Sequence, residues 1–540
     1  MSWSKAKREE LNLENNTQLV PAPQFDTVQL NYRSNGFSQI VPTLDYSDPS
    51  KLFLRNTIYG SGYGKVPKVD DELKSFKLAA SLPAPAKLAW FSDIDVGLNY
   101  ADREKKKRQP EGNINVGPQG DIAIGSDLQY GLVDLGFAGI GKIPSWNVPE
   151  AVARYMVFAP SDDAFPYLVA KAWDVSEKTT TAFVKGNINT EWGSVGVRGN
   201  IGVQVQRTDQ SSDAVQLSNG GLPQPVSLGK TMTDVLPSMN LAFTLTEDQV
   251  LRFALAKQVA RPRVDQMRAS LEVSVDDAVD ATTGFRKVSG NGGNPKLDPW
   301  RAYAFDVSYE KYFGNRAYFA AAYFYKDLKS YIYTQNDPNF DFTPFIANYP
   351  PGNGSGGPIA STGNFSAPAN GKGGRLSGLE LTVSLPLEQL TPVLEGFGIT
   401  ASASFNSSSI KIRDPESASS VGAGDIELPG LSKRVYNFTA YYEHAGFEAR
   451  VSQRKRSDFI GEIGNFNGNR TLRYVVGEDI VDAQVGYTFG EGSLRGLGLL
   501  LQVSNLTNSA YRTYFSGSKD RPLEYIEWGR TYLVGLNYKF

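Results

Sequence analysis

The chain has 540 residues, with 55 Lys and Arg against 57 Asp and Glu, one His and no Cys. A net charge of −2 and a pI near 5.8 leave no basic footprint for nucleic acid; the missing cysteines exclude disulfide frameworks and thiolate metal sites, and a single histidine excludes most zinc and Ser-His-Asp chemistry. A mean hydropathy of −0.32, without a run near ~18 apolar residues, excludes membrane helices, but not membrane strands, which turn only alternate residues to lipid.

In chain order, residues 1–25 read as a loop remnant or disordered segment: MSWSKAKREELNLENN is charged and has no apolar stretch of the kind a secretory signal needs. Thr27 to Tyr32 and Phe37 to Pro42 read as two short strands. From Glu72 onward about fifteen further strands can be counted, an odd total of about seventeen, as though amino-terminal strands were absent. The strands alternate with period two. Tyr303, Phe305, Val307 and Tyr309 interleave with Asp306, Ser308 and Glu310; Leu379, Leu381, Val383 and Leu385 with Glu380, Thr382 and Ser384; Ala483, Val485, Tyr487 and Phe489 with Asp482, Gln484 and Thr488. At the carboxyl end Tyr532, Val534, Leu536, Tyr538 and Phe540 form one wholly apolar face, over about the ten residues that a tilted strand needs to cross a bilayer.

Connections broadly alternate short and long. Short ones are Pro83 to Lys87, Thr190 to Ser194, Thr246 to Gln249, Phe313 to Arg316, Glu443 to Gly446 and Gly490 to Gly496. Long ones are Ala101 to Glu177, Arg207 to Thr231, Arg261 to Trp300, Thr334 to Gly374, Ile412 to Lys433, Arg456 to Leu472 and Asn508 to Trp528. This is the plan of an all-β transmembrane antiparallel barrel with short periplasmic turns and long extracellular loops. A soluble half-buried sheet explains any one strand, but many strands with one charged face each argue for lipid on the other. A propeller would show a regular repeat, which is not seen.

Gly-Ser-Gly-Tyr-Gly-Lys at 60–65 lacks phosphate-loop spacing and reads as a turn. His444 falls in a short turn, and Asp276, Asp277 and Asp280 lack calcium-loop spacing, so no metal and no cofactor is assigned. Basic clusters at Lys105, Lys106, Lys107 and Arg108, at Arg261, Arg263 and Arg268, and at Arg454, Lys455 and Arg456 suit lipopolysaccharide phosphates and equally suit plain solvation. Asn294-Pro295 and Leu297-Asp298-Pro299-Trp300 shape a loop-to-strand junction, with Trp300 at the interface. Loop aromatics Phe340, Phe342, Phe345, Tyr349 and Phe365 either stack on a ligand's sugar or aromatic rings or pack the loops on one another; with Trp300, the first four are the candidate ligand-binding residues.

Several stretches in order along the chain resemble TonB-dependent outer-membrane receptors of the Xanthomonas and Caulobacter type: GLNYADREK at 97–105, RFALAKQVARP at 252–262, GNPKLDPWRAYAFD at 293–306, SYEKYFGNRAYFAAAYFYK at 308–326, SGLEL at 377–381, residues 436–459, NLTNSAY at 505–511 and 529–540. The resemblance implies a bacterial outer-membrane receptor, not an enzyme, that imports a bulky nutrient of the carbohydrate or siderophore class. It implies that residues 26–540 are part of a barrel of about 22 strands, without signal peptide, TonB box or plug. Asp306, Glu310, Glu380 and Asp482 would face the lumen, lining the passage or anchoring a plug, and Tyr538 with Phe540 would be read by the barrel-assembly machinery. Implied partners are outer-membrane lipid, a small-molecule or oligosaccharide ligand, and TonB only where a plug is supplied elsewhere. A passive porin-like channel or an inactive barrel remnant is the alternative.

Overall fold

The computed structural model describes all residues except 20–24, 56–60, 117–119, 163–165, 219–221, 315, 348–355, 412–424, 467–468, 516 and 540. Among the described residues, sixteen strands follow one another around a single antiparallel wall without a crossover. They are β1 Ser2–Glu9, β2 Lys68–Pro83, β3 Asp93–Arg108, β4 Trp173–Trp192, β5 Val195–Ser218, β6 Leu222–Thr246, β7 Gln249–Ala260 and β8 Trp300–Phe313. Then come β9 Ala317–Leu328, β10 Gly374–Pro386, β11 Phe397–Lys411, β12 Arg434–His444, β13 Phe447–Arg456, β14 Asp479–Thr488, β15 Leu497–Ser504 and β16 Thr531–Tyr538. The count is even. Fifteen of these strands are the ones expected from Glu72 onward; the Val28–Asn31 and Gln39–Pro42 pair stays outside the wall as a separate hairpin.

The additional wall strand is Ser2–Glu9, within the segment read from sequence as a loop remnant or disordered. SWSKAKRE shows no apolar alternation, and every residue of β1 is exposed. Its register follows charge instead: Lys5, Lys7 and Glu9 stand opposite Glu72, Asp70 and Lys68, each pair within 3.6 Å, and the Trp3 indole donates to Glu72 at 2.9 Å. Opposite charges facing each other across a ladder favour one register over a slip.

Arg207 to Ser218 and Leu222 to Thr231, expected to be loop, are strand. β5 and β6 pair without a break from Gly196↔Thr244 to Ser218↔Leu222; β6 runs well beyond its pairing with β7, which stops at Ser238↔Ala256, while β4 follows β5 as far as Ala214. Thr208, Gln210 and Ser212 are buried there because the 261–299 segment leans on them: Gln210 donates to the carbonyls of Pro295 and Leu297, and Gln216 to that of Ala269. Their polar side chains thus satisfy loop backbone that has no ladder of its own. The stretch from Thr334 to Gly374, expected to be solvent loop, likewise contains a hairpin of Tyr331–Asp341 with Thr362–Gly371; residues 348–355 lie outside the described ones.

The two faces of the wall differ as alternation requires. Leu98, Tyr303, Val485 and Val534 point one way and are 43%, 52%, 45% and 79% exposed. So continuous an apolar belt is a lipid face, and no helix among the described residues is long and apolar enough to cross a membrane. At the short-turn end Trp90 meets Trp192 edge-on at 5.7 Å, and Trp192 meets Phe243 at 6.0 Å, the placement of an interfacial aromatic girdle.

Turns at this end are tight. In His444-Ala445-Gly446-Phe447, Ala445 has φ 48° and Gly446 φ 84°, the two positive values that a type I′ hairpin requires. Alanine there is strained by about 1 kcal/mol, because its Cβ crowds the following carbonyl. Ala445→Asn, which tolerates this region, is expected to raise unfolding stability in detergent by about that amount; an unchanged denaturation midpoint would count against the strain.

At the opposite end the connections fold into structures of their own. Residues 12–65 and 111–158 share small sheets and a core of Leu54, Ile114, Val116, Leu128, Ala151 and Met156. The Val28–Pro42 hairpin reaches the Tyr511–Ile526 pair, where Phe37 packs edge-on against Tyr525 at 4.7 Å and Asn35 accepts from Arg512.

Candidate functional site

The inner face carries the chemistry, in three levels. Nearest the short turns, Arg198 and Asn200 of β5, Asn240 of β6, Arg252 of β7, Asp306 of β8 and Glu380 of β10 line a cavity of about 530 Å3. Asp306 and Glu380 therefore meet in one space. Glu310, farther along β8, is held by Arg252 through two hydrogen bonds of 2.7 and 3.2 Å and by the Tyr312 hydroxyl. Asp482 lies elsewhere on the wall, accepting the Asn505 backbone N–H at 2.8 Å. All four project from the face opposite the apolar belt.

Above this, a cavity of about 590 Å3 is lined by Gln204, Gln206, Gln258, Ser238, Trp300 and Leu428, among others. Amides and an indole offer donors, acceptors and one flat apolar surface, the combination that suits a neutral polar ligand.

At the loop end lies the most highly charged space, a cavity of about 830 Å3. β3 delivers Arg103, Lys105 and Lys107 to it, alternate residues of one face. Lys171 comes from the approach to β4, while Arg263 and Arg268 flank the short turn Val264–Met267 between β7 and β8. Most of these cations are matched. Asp71 accepts two hydrogen bonds from Arg103, of 2.9 and 2.7 Å, and pairs with Lys105 at 3.4 Å. Arg263 pairs with Asp265 at 2.9 Å. Lys171 donates at 2.6 Å to Glu111, a buried carboxylate. Burial pushes the Glu111 pKa up, but Lys171, Tyr63 and Gln109 donate to it and together hold it below the ordinary value.

The basic clusters of the sequence are thus halved by alternation. Lys105 and Lys107 face inward, Lys106 and Arg108 outward, where they pair with Glu104 and Asp174. Lys455 projects outward beside Asp479 at 3.2 Å, while Arg454 and Arg456 turn inward, Arg456 pairing with Glu478 at 2.8 Å. Arg261 lies 3.5 Å from Glu177.

The candidate ligand aromatics are brought together, but onto one another. Phe340 stacks on Phe365 at 4.3 Å and meets Phe342 edge-on at 4.9 Å, with Phe345 alongside. Phe342 is fully buried against Leu271, Val273 and Val288. Trp300 packs on Tyr331 at 4.7 Å and still borders the middle cavity. Tyr349 and Phe540 lie outside the described residues; Tyr538 ends β16, half exposed on the apolar face. Gly62–Lys65, from the glycine-rich stretch, is strand, and a Cβ on Gly62 would lie 2.1 Å from the Glu14 carbonyl oxygen. Asp280 accepts from the Thr282 and Thr283 N–H groups and from Lys287, which hold its carboxyl down to about 2, Lys287 most of all. No three metal-ligating side chains gather among the described residues.

A model of the family described as TonB dependent receptor-like, beta-barrel, matches residues 10–506. The crystal structure of the siderophore receptor PiuA from Acinetobacter baumannii is similar at 12% identity and a TM-score of 0.51, over 89% of this chain and 61% of that one. The copper transporter OprC is similar at 14% identity and a TM-score of 0.50, over 88% and 58%. The likeness concerns the fold, and the chain spans less than two thirds of the length of either. No curated protein matches the chain.

Proposed function

Because the chain belongs to the TonB-dependent receptor-like β-barrel family, we propose that it works in the bacterial outer membrane as the wall of an energised uptake receptor for a bulky nutrient of the carbohydrate or siderophore class. The observation that carries this reading is the three-level inner face: polar and charged cavities of about 830, 590 and 530 Å3 descend from the loops toward the short turns behind an apolar belt. A solute captured among the loops would meet cations first, amides and Trp300 next, and Asp306 with Glu380 last. TonB would act through a plug domain, and the barrel-assembly machinery would read Tyr538 and Phe540. Lipopolysaccharide phosphates would meet the outward Lys106 and Lys455, in competition with Glu104 and Asp479.

The test is uptake of labelled oligosaccharides and ferric siderophores by cells carrying the protein. Saturable uptake that a protonophore stops is expected. Linear, protonophore-insensitive flux, with a steady conductance in planar bilayers, would replace the energised receptor by a passive porin-like channel; neither flux nor conductance would make the chain an inactive barrel.

A further inference from the structure

Within the loop-end cavity the charges do not balance. Its cations are Arg103, Lys105, Lys107, Lys171, Arg263 and Arg268. The carboxylates that line it or stand directly behind it are Asp265, Glu272, Asp71 and Glu111; Glu177, opposite Arg103, is matched by Arg261 at 3.5 Å and leaves the balance unchanged. Two positive charges are left over: Arg103 and Lys105 share Asp71, and among the described residues Glu272 has no cation within 4.0 Å. Lys107 and Arg268 have no carboxylate within 4.0 Å among the described residues. Glu272 is engaged by the Asn291 amide at 3.0 Å. Among the described residues the Arg268 guanidinium donates to the Asp265 backbone oxygen alone, at 3.1 Å.

Neither cation is there by slack. Lys107 stands opposite Trp173, which is 5% exposed and floors this part of the cavity. Arg268 is pinned by Gly293, where an added Cβ would come within 2.2 Å of the Arg268 carbonyl oxygen and 2.5 Å of its Cγ. Burial draws the Arg268 pKa down by more than the nearby Asp265 and Glu272 raise it, the mark of a charge removed from water with its carboxylates held at a distance. An unmatched, partly desolvated cation is costly to maintain unless something supplies the opposite charge.

We propose that Lys107 and Arg268 seat an oxyanion of the imported molecule, a carboxylate or a phosphate group, at the outer mouth of the barrel. This rests on the receptor reading and narrows it: a guanidinium gives paired donors in a plane, an ammonium adds a point charge, and together they favour an anionic ligand over its neutral counterpart.

The 540-residue chain in detergent micelles, titrated by tryptophan fluorescence, provides the test. The probes are an oligogalacturonate, its methyl ester, and a phosphorylated maltooligosaccharide. At least one anionic probe is expected to bind, more weakly as salt rises, and whichever binds identifies the carboxylate or phosphate source. Lys107→Gln with Arg268→Gln should weaken binding about a hundredfold, roughly tenfold for each charge-assisted contact. Lys107→Arg should retain most of the affinity, and an unchanged unfolding midpoint establishes that the double variant is folded. Failure of both anionic probes to bind, equal binding by the double variant, or equal binding of the methyl ester would each overturn the proposal. Energised uptake of a neutral sugar alongside such a failure would leave the receptor reading standing, whereas anion binding without energised uptake would remove only that reading.

Discussion

Phe342→Ala is expected to destabilise the loop structure by about 4 kcal/mol, the usual cost of emptying a fully buried aromatic site. Phe342 is completely enclosed by Leu271, Val273 and Val288 from the Leu271–Val279 and Arg286–Gly292 pair, and by Phe340 and Phe365 from the neighbouring hairpin. The loss should be local. Proteolysis within 271–292 and 362–371 should accelerate, while the wall's resistance to heat in detergent stays as it was, because this core lies beyond the membrane strands. Unchanged proteolysis would mean that the ring is not packed as described. Phe345, at the margin of the same cluster, should cost less.

Arg301→Ala should be the most damaging change at the junction into β8. Its guanidinium donates to Asp234 at 2.6 and 3.2 Å and to Asp298 at 3.2 Å, and the Asp234 side chain is only 7% exposed. Truncating the arginine leaves that carboxylate enclosed without a partner, a loss of about 3 kcal/mol. It also leaves Asp298 to Lys230 alone, at 2.8 Å, beside the junction into β8 where the Asp298 backbone exchanges hydrogen bonds with Asn370. Combining Arg301→Met with Asp234→Leu should recover most of the stability, since it removes the buried charge along with its partner. A urea midpoint that falls for the single variant and returns for the double one is the expected result; equal losses for both would assign the effect to packing alone.

How far the fold was legible follows from what each segment uses to hold its place. Where lipid decides, alternation is plain: Tyr303 to Tyr309, Leu379 to Leu385 and Tyr532 to Tyr538 all show it, and the registers place these residues on one face. Where protein or charge decides, it is not. Ser2–Glu9 is aligned by Lys5, Lys7 and Glu9, groups that look like a solvated tail until their partners near residue 70 are known. The upper halves of β5 and β6 are held through Gln210 and Gln216 by loop carbonyls some fifty to ninety residues away, which no local pattern reports. The site divides in the same way. Period two says only that the four carboxylates sit opposite the apolar residues of their strands, and the aromatic residues of 340–365 admitted both a stacking and a packing role. The loop-end cavity was visible only as two separate basic runs, because nothing in sequence says that Lys107 and Arg268 share a space.

The halving of those runs has a consequence for how such a mouth can change. Substitution within 105–108 alters one charge on one side. Inserting a single residue upstream in β3 leaves composition and net charge almost untouched, yet it exchanges the faces, turning Lys107 toward lipid head groups and Lys106 toward the passage. Length variation inside a strand is therefore a faster route to a new ligand preference than replacement of its residues. It also defeats comparisons that count lysines without counting their parity.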